Sequence, residues 1–349
     1  MLNAKDNLRA VIRGENPDRF SNNFEGLTLL THPFSLTQPR LTPGQENVLD
    51  RWGVTKSYPV NVPAAFPVHT PDKIVVQDIE HWRDYVHAPS LKFTDEEWGR
   101  VKELYDAVDG TRSYKATLVA PGLFEEIHYL CSMDEALLNY MVYPDEVSDL
   151  IKYLTDWELE LAEGICSNLH PDAIFHHDDW GGGTQSFLRP SMFEDFFLDA
   201  YKQIYGYYHD HGVEFIFHHS DSYAADLVPA MIEMGIDVWQ GCMHSNDVPT
   251  LIKQYGGRIS FMGEIDNKAV DFEGWTQENC RRVAREAMDA CGKDYFIPCI
   301  IQGGPGSVFS GVYLALCDEI DRYNSELYGF SMEELAAARE PWVVMFGKK

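Results

Sequence analysis

The sequence is short of positive charge. Its 349 residues hold 28 Lys and Arg against 55 Asp and Glu, a net charge of −27, and a surface of that sign repels nucleic-acid backbones and anionic membranes. The seven cysteines, at 131, 166, 242, 280, 291, 299 and 317, are odd in number and include no C-x-x-C pair. That pattern argues against a disulfide framework and a zinc ribbon, and fits the reduced thiols of a cytoplasmic protein. No apolar run approaches the roughly 18 residues of a membrane span. The opening "MLNAKDNLRAVIRGENPDRF" carries charges throughout, unlike a signal peptide. A dinucleotide-binding turn is missing as well, because "IIQGGPGS" is not G-x-G-x-x-G. These absences predict a cytoplasmic protein with neither nucleic acid nor membrane as partner.

What is present is a large apolar share, 45%, enough for one sizeable core. Apolar runs of strand length recur: "YKATLVAPG" (114–122), "DAIFHHDD" (172–179), "VEFIFHHSD" (213–221), "IDVWQGC" (236–242), "RISFMGEID" (258–266) and "YFIPCIIQGG" (295–304). Runs apolar along most of their length suit parallel strands covered on both faces. Between them lie helical patterns with readable ends. Ser132 with Glu135 makes an S-x-x-E box, Val147, Leu150, Ile151, Leu154 and Trp157 form one stripe, and Pro190 suits a first turn. Gly235 and Gly256 close helices, and Ser331 with Glu334 opens a last one. Strand and helix in alternation, with no dinucleotide turn, predict an α/β chain closed into a (β/α)8 TIM barrel. The whole chain, 1–349, is read as one domain. Residues to about 110 form an N-terminal extension, irregular from about 25 onward and set over one barrel mouth, and about 111–349 supply most of the barrel.

In such a barrel the side chains at the C-terminal strand ends converge on the reaction site. His219 and Asp221 are two apart, so on an extended strand they face the same side and can share a cation, although an isolated H-x-D is more often a hydrogen-bonded pair. "HHDDWGGG" crowds His177, Asp178 and Asp179 before flexible glycines. Adjacent aspartates repel unless one is protonated, bonded or paired. Trp180 offers a flat apolar wall, with turn capping by Asp179 and core filling by Trp180 as the plain alternatives. Glu264 is a candidate base, acid or further ligand, or a solvated loop acid. Cys299, and less strongly Cys242, is a small buried hydrophobe unless a metal makes it a thiolate.

Several blocks resemble the uroporphyrinogen decarboxylase-like superfamily, and in particular its cobalamin-linked methyltransferase branch. "RAVIRGENPDRF" is similar to its opening helix and turn, and "APGLFEEIHYLCSMDEALLNYMVYPDEV" to its G-P-F segment. "DAIFHHDDWGGGTQSFLRPSMFEDFFLDAYKQI", "FIFHHSDSYAADLVPAMIEMGIDV" and "RISFMGEIDN" resemble its D-D-W-G, H-S-C-G and G-G-I-D segments, with Glu264 in place of a glycine. The resemblance implies a barrel with its active site at the C-terminal mouth. Decarboxylases of this kind bind a polycarboxylate and carry an R-Q-A-G-R segment. Here "SNNFEGLTLLTHPF" stands in that region without Lys or Arg, which disfavours porphyrinogen decarboxylation. Zinc-dependent thiol methyltransferases of the branch use H-x-C and a later Cys. This sequence has His219 but Asp221 in place of the cysteine, with Cys299 near the later position, and a carboxylate leaves a more electrophilic metal.

The nearest functional match is then the first methyltransferase of O-demethylase systems, moving a methyl group from an aryl methyl ether to Co(I) of a corrinoid protein. In that reading His219, Asp221 and Cys299 are metal ligands for a divalent ion, with zinc favoured. Glu264, His177 and Asp179 are catalytic, because phenolate leaves poorly unless its charge is met. Asp178, Trp180 and Trp239 are substrate contacts. No D-x-H-x-x-G motif occurs, so the cobalamin is expected on a partner protein. A methylcobamide:thiol methyltransferase and a uroporphyrinogen decarboxylase-like lyase stand as alternatives, and a homodimer is left open.

Overall fold

The computed structural model describes residues 1–62, 64–302 and 308–339. Seven strands make a curled parallel sheet in the order β1 (Leu27–Leu30), β5 (Tyr114–Val119), β6 (Ala173–His177), β7 (Phe215–His219), β8 (Val238–Cys242), β9 (Ser260–Ile265) and β10 (Phe296–Ile300). β2 (Gln45–Leu49), β3 (Thr55–Tyr58) and β4 (Phe66–Pro67) form a separate antiparallel sheet. The six apolar runs seen in the sequence supply six of the seven parallel strands. Positions 303 and 304, at the end of the last run, lie outside the described residues. The seventh, β1, has only four residues and falls within the expected N-terminal extension.

The seam between β10 and β1 is bridged by Asn23. Its backbone N–H donates to Pro298 O (3.1 Å), and its side-chain oxygen accepts from Ile300 N (3.2 Å). The helix Ala4–Arg13 lies across the N-terminal strand ends, where Tyr295 N donates to Val11 O (2.9 Å) and Ser260 Oγ to Ile12 O (3.0 Å). Gly14 ends that helix at φ 65°, a left-handed conformation that glycine adopts without a Cβ penalty. The excursion between β1 and β5 docks on the outside, with Val76 N bonded to Leu130 O (3.0 Å) and His69 Nε2 near Tyr129 O (3.2 Å). It therefore braces the helix Leu123–Cys131.

Outer helices cover the sheet. Pro144–Leu169 buries the predicted stripe of Val147, Leu150, Ile151 and Leu154, with Trp157 partly buried beside it. Asp199–Asp210 buries Tyr201, Tyr205 and Tyr208. Among the described residues no helix is long and apolar enough to cross a membrane.

Candidate active site

Strand alternation decides what the histidine doublets do. Successive side chains leave a strand on opposite faces, so each His-His pair sends one imidazole inward and one outward. His176 and His218 face the helices: His176 Nε2 meets Glu158 (2.6 Å), and His218 Nδ1 meets Tyr205 OH (2.8 Å). His177 and His219 take the barrel side. They pair in register across β6 and β7, and their rings stack at 4.5 Å and 22°.

The same parity sorts the remaining candidates. Asp179 and Asp221 join the inward set. Asp179 Oδ1 accepts from Asp221 N (2.9 Å), and Asp221 Oδ2 lies 3.9 Å from His219 Nε2. One ligand atom each from His177, Asp179 and His219 lie within 4.8 Å of one another, a group able to hold a metal ion. Each histidine is held through its other nitrogen. His177 Nδ1 bonds Glu125 Oε2 (2.7 Å), and His219 Nδ1 bonds the side-chain oxygen of Gln240. Outer partners of this sort orient metal-binding imidazoles and set their tautomers.

Electrostatics divide the pair of rings. Burial opposes charge on His177, but Glu125, Asp179 and Asp221 outweigh it and raise the ring to about 10. Burial, with His177 beside it, takes His219 down to about 3 and keeps its Nε2 lone pair free for a ligand. Burial lifts Asp179 to about 7 against the pull of His177, and also raises Asp221, which Gln302 steadies by a hydrogen bond. Glu125 is pushed up by burial but pulled further down by His177. Its other oxygen accepts from Tyr129 OH (3.1 Å).

Asp178, Trp180 and Trp239, expected as substrate contacts, share the outward face with His176 and His218. Asp178 is fully buried and accepts from Phe124 N (3.0 Å), Glu125 N (2.8 Å), Trp180 Nε1 (2.8 Å) and Tyr201 OH. It thus holds the N-terminus of helix Leu123–Cys131, where the helix dipole favours an anion. Trp180 stacks on His218 at 3.9 Å, and Trp239 donates to Ser220 O (3.0 Å). Both are core.

Glu264 departs from the alternation. The β8–β9 pairing shifts register between Gln240 and Cys242, and Glu264 has φ 67°. Such irregularities re-aim side chains. Its carboxylate meets His244 and lines a cavity of about 410 Å³ with Asp247, Asp266 and Arg282, between helices Val248–Tyr255 and Gln277–Cys291. None of His177, Asp179 or His219 lines that cavity. Cys299 lies outside the metal-capable group, fully buried, its thiol pushed well up by burial and eased by a hydrogen bond with Gln240. It therefore sits behind the partner of His219. Cys242 is likewise buried, and burial pushes its thiol up.

Glu125 and Gln240 were not singled out in the sequence. Gln240 had a signal, a lone amide in an apolar strand opposite His219 in the ladder. Glu125 had none beyond its place in the first turn of a helix.

The uroporphyrinogen decarboxylase (URO-D) family profile matches residues 67–298. The chain belongs to this family. Among solved structures, a methyltransferase from Methanosarcina mazei aligns at TM-score 0.64 with 14% identity, over 93% of this chain and 99% of that one. A modular endo-β-1,4-mannanase from Cellulomonas fimi aligns at TM-score 0.40 and 12% identity, over 97% of this chain and 78% of that one, too weak to carry an argument. No curated protein matches significantly. Family and first neighbour agree with the curled, barrel-like parallel sheet of seven strands seen here.

Proposed function

We propose that this URO-D family member is a methyltransferase that moves a methyl group from a methoxylated aromatic to the Co(I) centre of a separate corrinoid protein. The observation that carries this reading is the convergence of His177, Asp179 and His219 at the C-terminal ends of β6 and β7. The fold likeness to a methyltransferase supports the reaction class. Two imidazoles and a carboxylate, both rings oriented through their far nitrogens, suit a zinc-like divalent ion with an open position. When bound, that ion would act as a Lewis acid toward the departing oxygen.

The chain's own groups do the rest. As the methyl carbon leaves, the C–O bonding pair remains on the aryl oxygen, and that charge must be met. Without a metal, His177 is the available acid, because Glu125 keeps a proton on its ring. Asp179 and Asp221 give that imidazolium an acidic surround. Glu264, turned to His244, is not placed for the step. Among the described residues no Lys or Arg bonds Glu125, Asp178, Asp179 or Asp221, so a polycarboxylate finds little recognition there.

Metal analysis of the purified protein, then incubation with a reduced corrinoid protein and a panel of methoxyarenes, tests the proposal. The expected result is methylcobalamin formation and about one bound ion per chain. His219→Ala should remove the metal and at least about 100-fold of the rate. Metal content and methyl transfer both intact in His219→Ala and Asp179→Ala would overturn the site. Transfer without metal that is lost in His177→Ala would assign the acid role to His177.

A further inference from the structure

Glu264 holds φ 67°, a left-handed conformation that disfavours any residue with a Cβ. A carboxylate kept there against backbone preference points to a role at the place it reaches. That place is the cavity of about 410 Å³ between helices Val248–Tyr255 and Gln277–Cys291. Glu264 is 5% exposed, and while its Oε1 bonds His244 Nδ1, its Oε2 has no hydrogen-bond partner among the described residues. A buried carboxylate oxygen left unmatched is unfavourable until a donor arrives.

Charge and shape select the donor. Asp247, Asp266 and Glu286 line the same cavity as Glu264, against two bases, His244 and Arg282. Both bases are already engaged, His244 with Glu264, and Arg282 with Glu286 (2.7 Å) and Asn279 (2.8 Å). An anion therefore finds no uncommitted cation among these lining residues. Burial raises Glu264, His244 draws it back, and Asp247 and Asp266 push it up again, a crowding that added positive charge would relieve. A bare metal ion does not suit, because among the described residues no three ligand atoms gather here. Nor does a quaternary ammonium, since among the described residues no Phe, Tyr or Trp lines the walls. Glu264 offers one free oxygen, where a guanidinium fork takes two. The remaining wall is small and apolar, with Ala269, Val283 and Ala287, a surface for methylene groups. We propose that this cavity binds a linear aliphatic diamine, one ammonium donating to Glu264 Oε2 and the other meeting Asp247, with the carbon chain over the alanine wall. Its volume is far beyond that of one water molecule. The site is independent of the methyl-transfer reading, since none of His177, Asp179 or His219 lines it.

The test is isothermal titration calorimetry of the native full-length chain at neutral pH and constant ionic strength. The titrants run from 1,3-diaminopropane to 1,6-diaminohexane, with butylamine, acetyl-lysine amide, tetramethylammonium and sodium for comparison. The expected result is saturable binding of about one diamine per chain, the best length at least about tenfold tighter than butylamine. Glu264→Gln keeps the shape but sheds the charge, and should weaken that binding about 30-fold. Asp247→Asn should bring the diamine down to the level of butylamine. Glu264→Gly suits the left-handed backbone, so it should fold and fail to bind. No saturable heat from any amine would show that the cavity holds water alone and end the proposal. Equal binding of tetramethylammonium or sodium would reduce the cavity to an unselective acidic surface, and acetyl-lysine amide matching the best diamine would reassign it to a protein side chain. Either result overturns the diamine.

Discussion

The two ends of β6 and β7 carry acids in opposite settings. At the feet of the strands, Asp172 meets Lys5 (3.2 Å), and Glu214 meets Arg9 (2.8 Å), Arg13 (2.9 Å) and Tyr114 OH (3.1 Å). At the tips of the same strands, Asp178, Asp179 and Asp221 have no Lys or Arg bonded to them among the described residues, and burial raises all three. The foot satisfies its acids with cations from helix Ala4–Arg13, which closes the barrel floor. The tip leaves two of its acids, Asp179 and Asp221, facing inward beside two imidazoles. A cation missing from the chain at one end and supplied by it at the other marks the tip as the place for an external ion or a carried proton.

That contrast can be broken by substitution. Asp178 is the one tip acid with four donors, so Asp178→Ala should destabilise most, by about 3–5 kcal/mol, since it strips a buried acceptor from two backbone amides and two side chains. Asp178→Asn should recover part of the loss. Urea unfolding measures both, and an effect below about 1 kcal/mol would mean that the anchoring of helix Leu123–Cys131 is misread.

Glu126 makes a pH-dependent contribution. Burial and Asp50 push it from the ordinary 4.5 to about 8, so between those values the folded protein holds a proton that the unfolded chain releases. Its contribution to stability falls as pH rises through that window, by at most roughly 5 kcal/mol. Melting curves from pH 5 to 8 should flatten in Glu126→Gln, and an unchanged slope would count against a buried, protonated Glu126. The smallest effect belongs to the foot. Glu214→Gln should cost about 1 kcal/mol, the scale of a partly exposed ion-pair cluster, and leave methyl transfer unchanged. A large loss of activity there would erase the difference between the two ends.

Much of this was legible in the sequence, and the misses have separate physical causes. Parallel strands announced themselves through apolar runs ending in polar residues, and six stood where expected. β1 did not, because four residues are too few for a pattern. At the site, the H-x-D spacing put His219 and Asp221 on one face. Counting two further along "HHDDW" would have placed His177 with Asp179, and Asp178 with Trp180 on the other face. The substrate roles expected for Asp178, Trp180 and Trp239 came from proximity in sequence without parity. Glu264 obeys parity on paper, and only the register shift beside Gly241 and its own left-handed backbone turn it away. Glu125 depends on a contact between a helix and a strand end 52 residues apart, which no local pattern encodes.

One consequence follows from the pairing of His177 with His219 in the ladder. Neighbouring strands sit about 4.8 Å apart because main-chain hydrogen bonds fix that spacing, and the two imidazoles inherit it. The gauge between the two nitrogen donors is therefore cut by the sheet itself, before any ion arrives. A slip of one residue between β6 and β7 would leave the fold's outline standing and still pull the pincer apart.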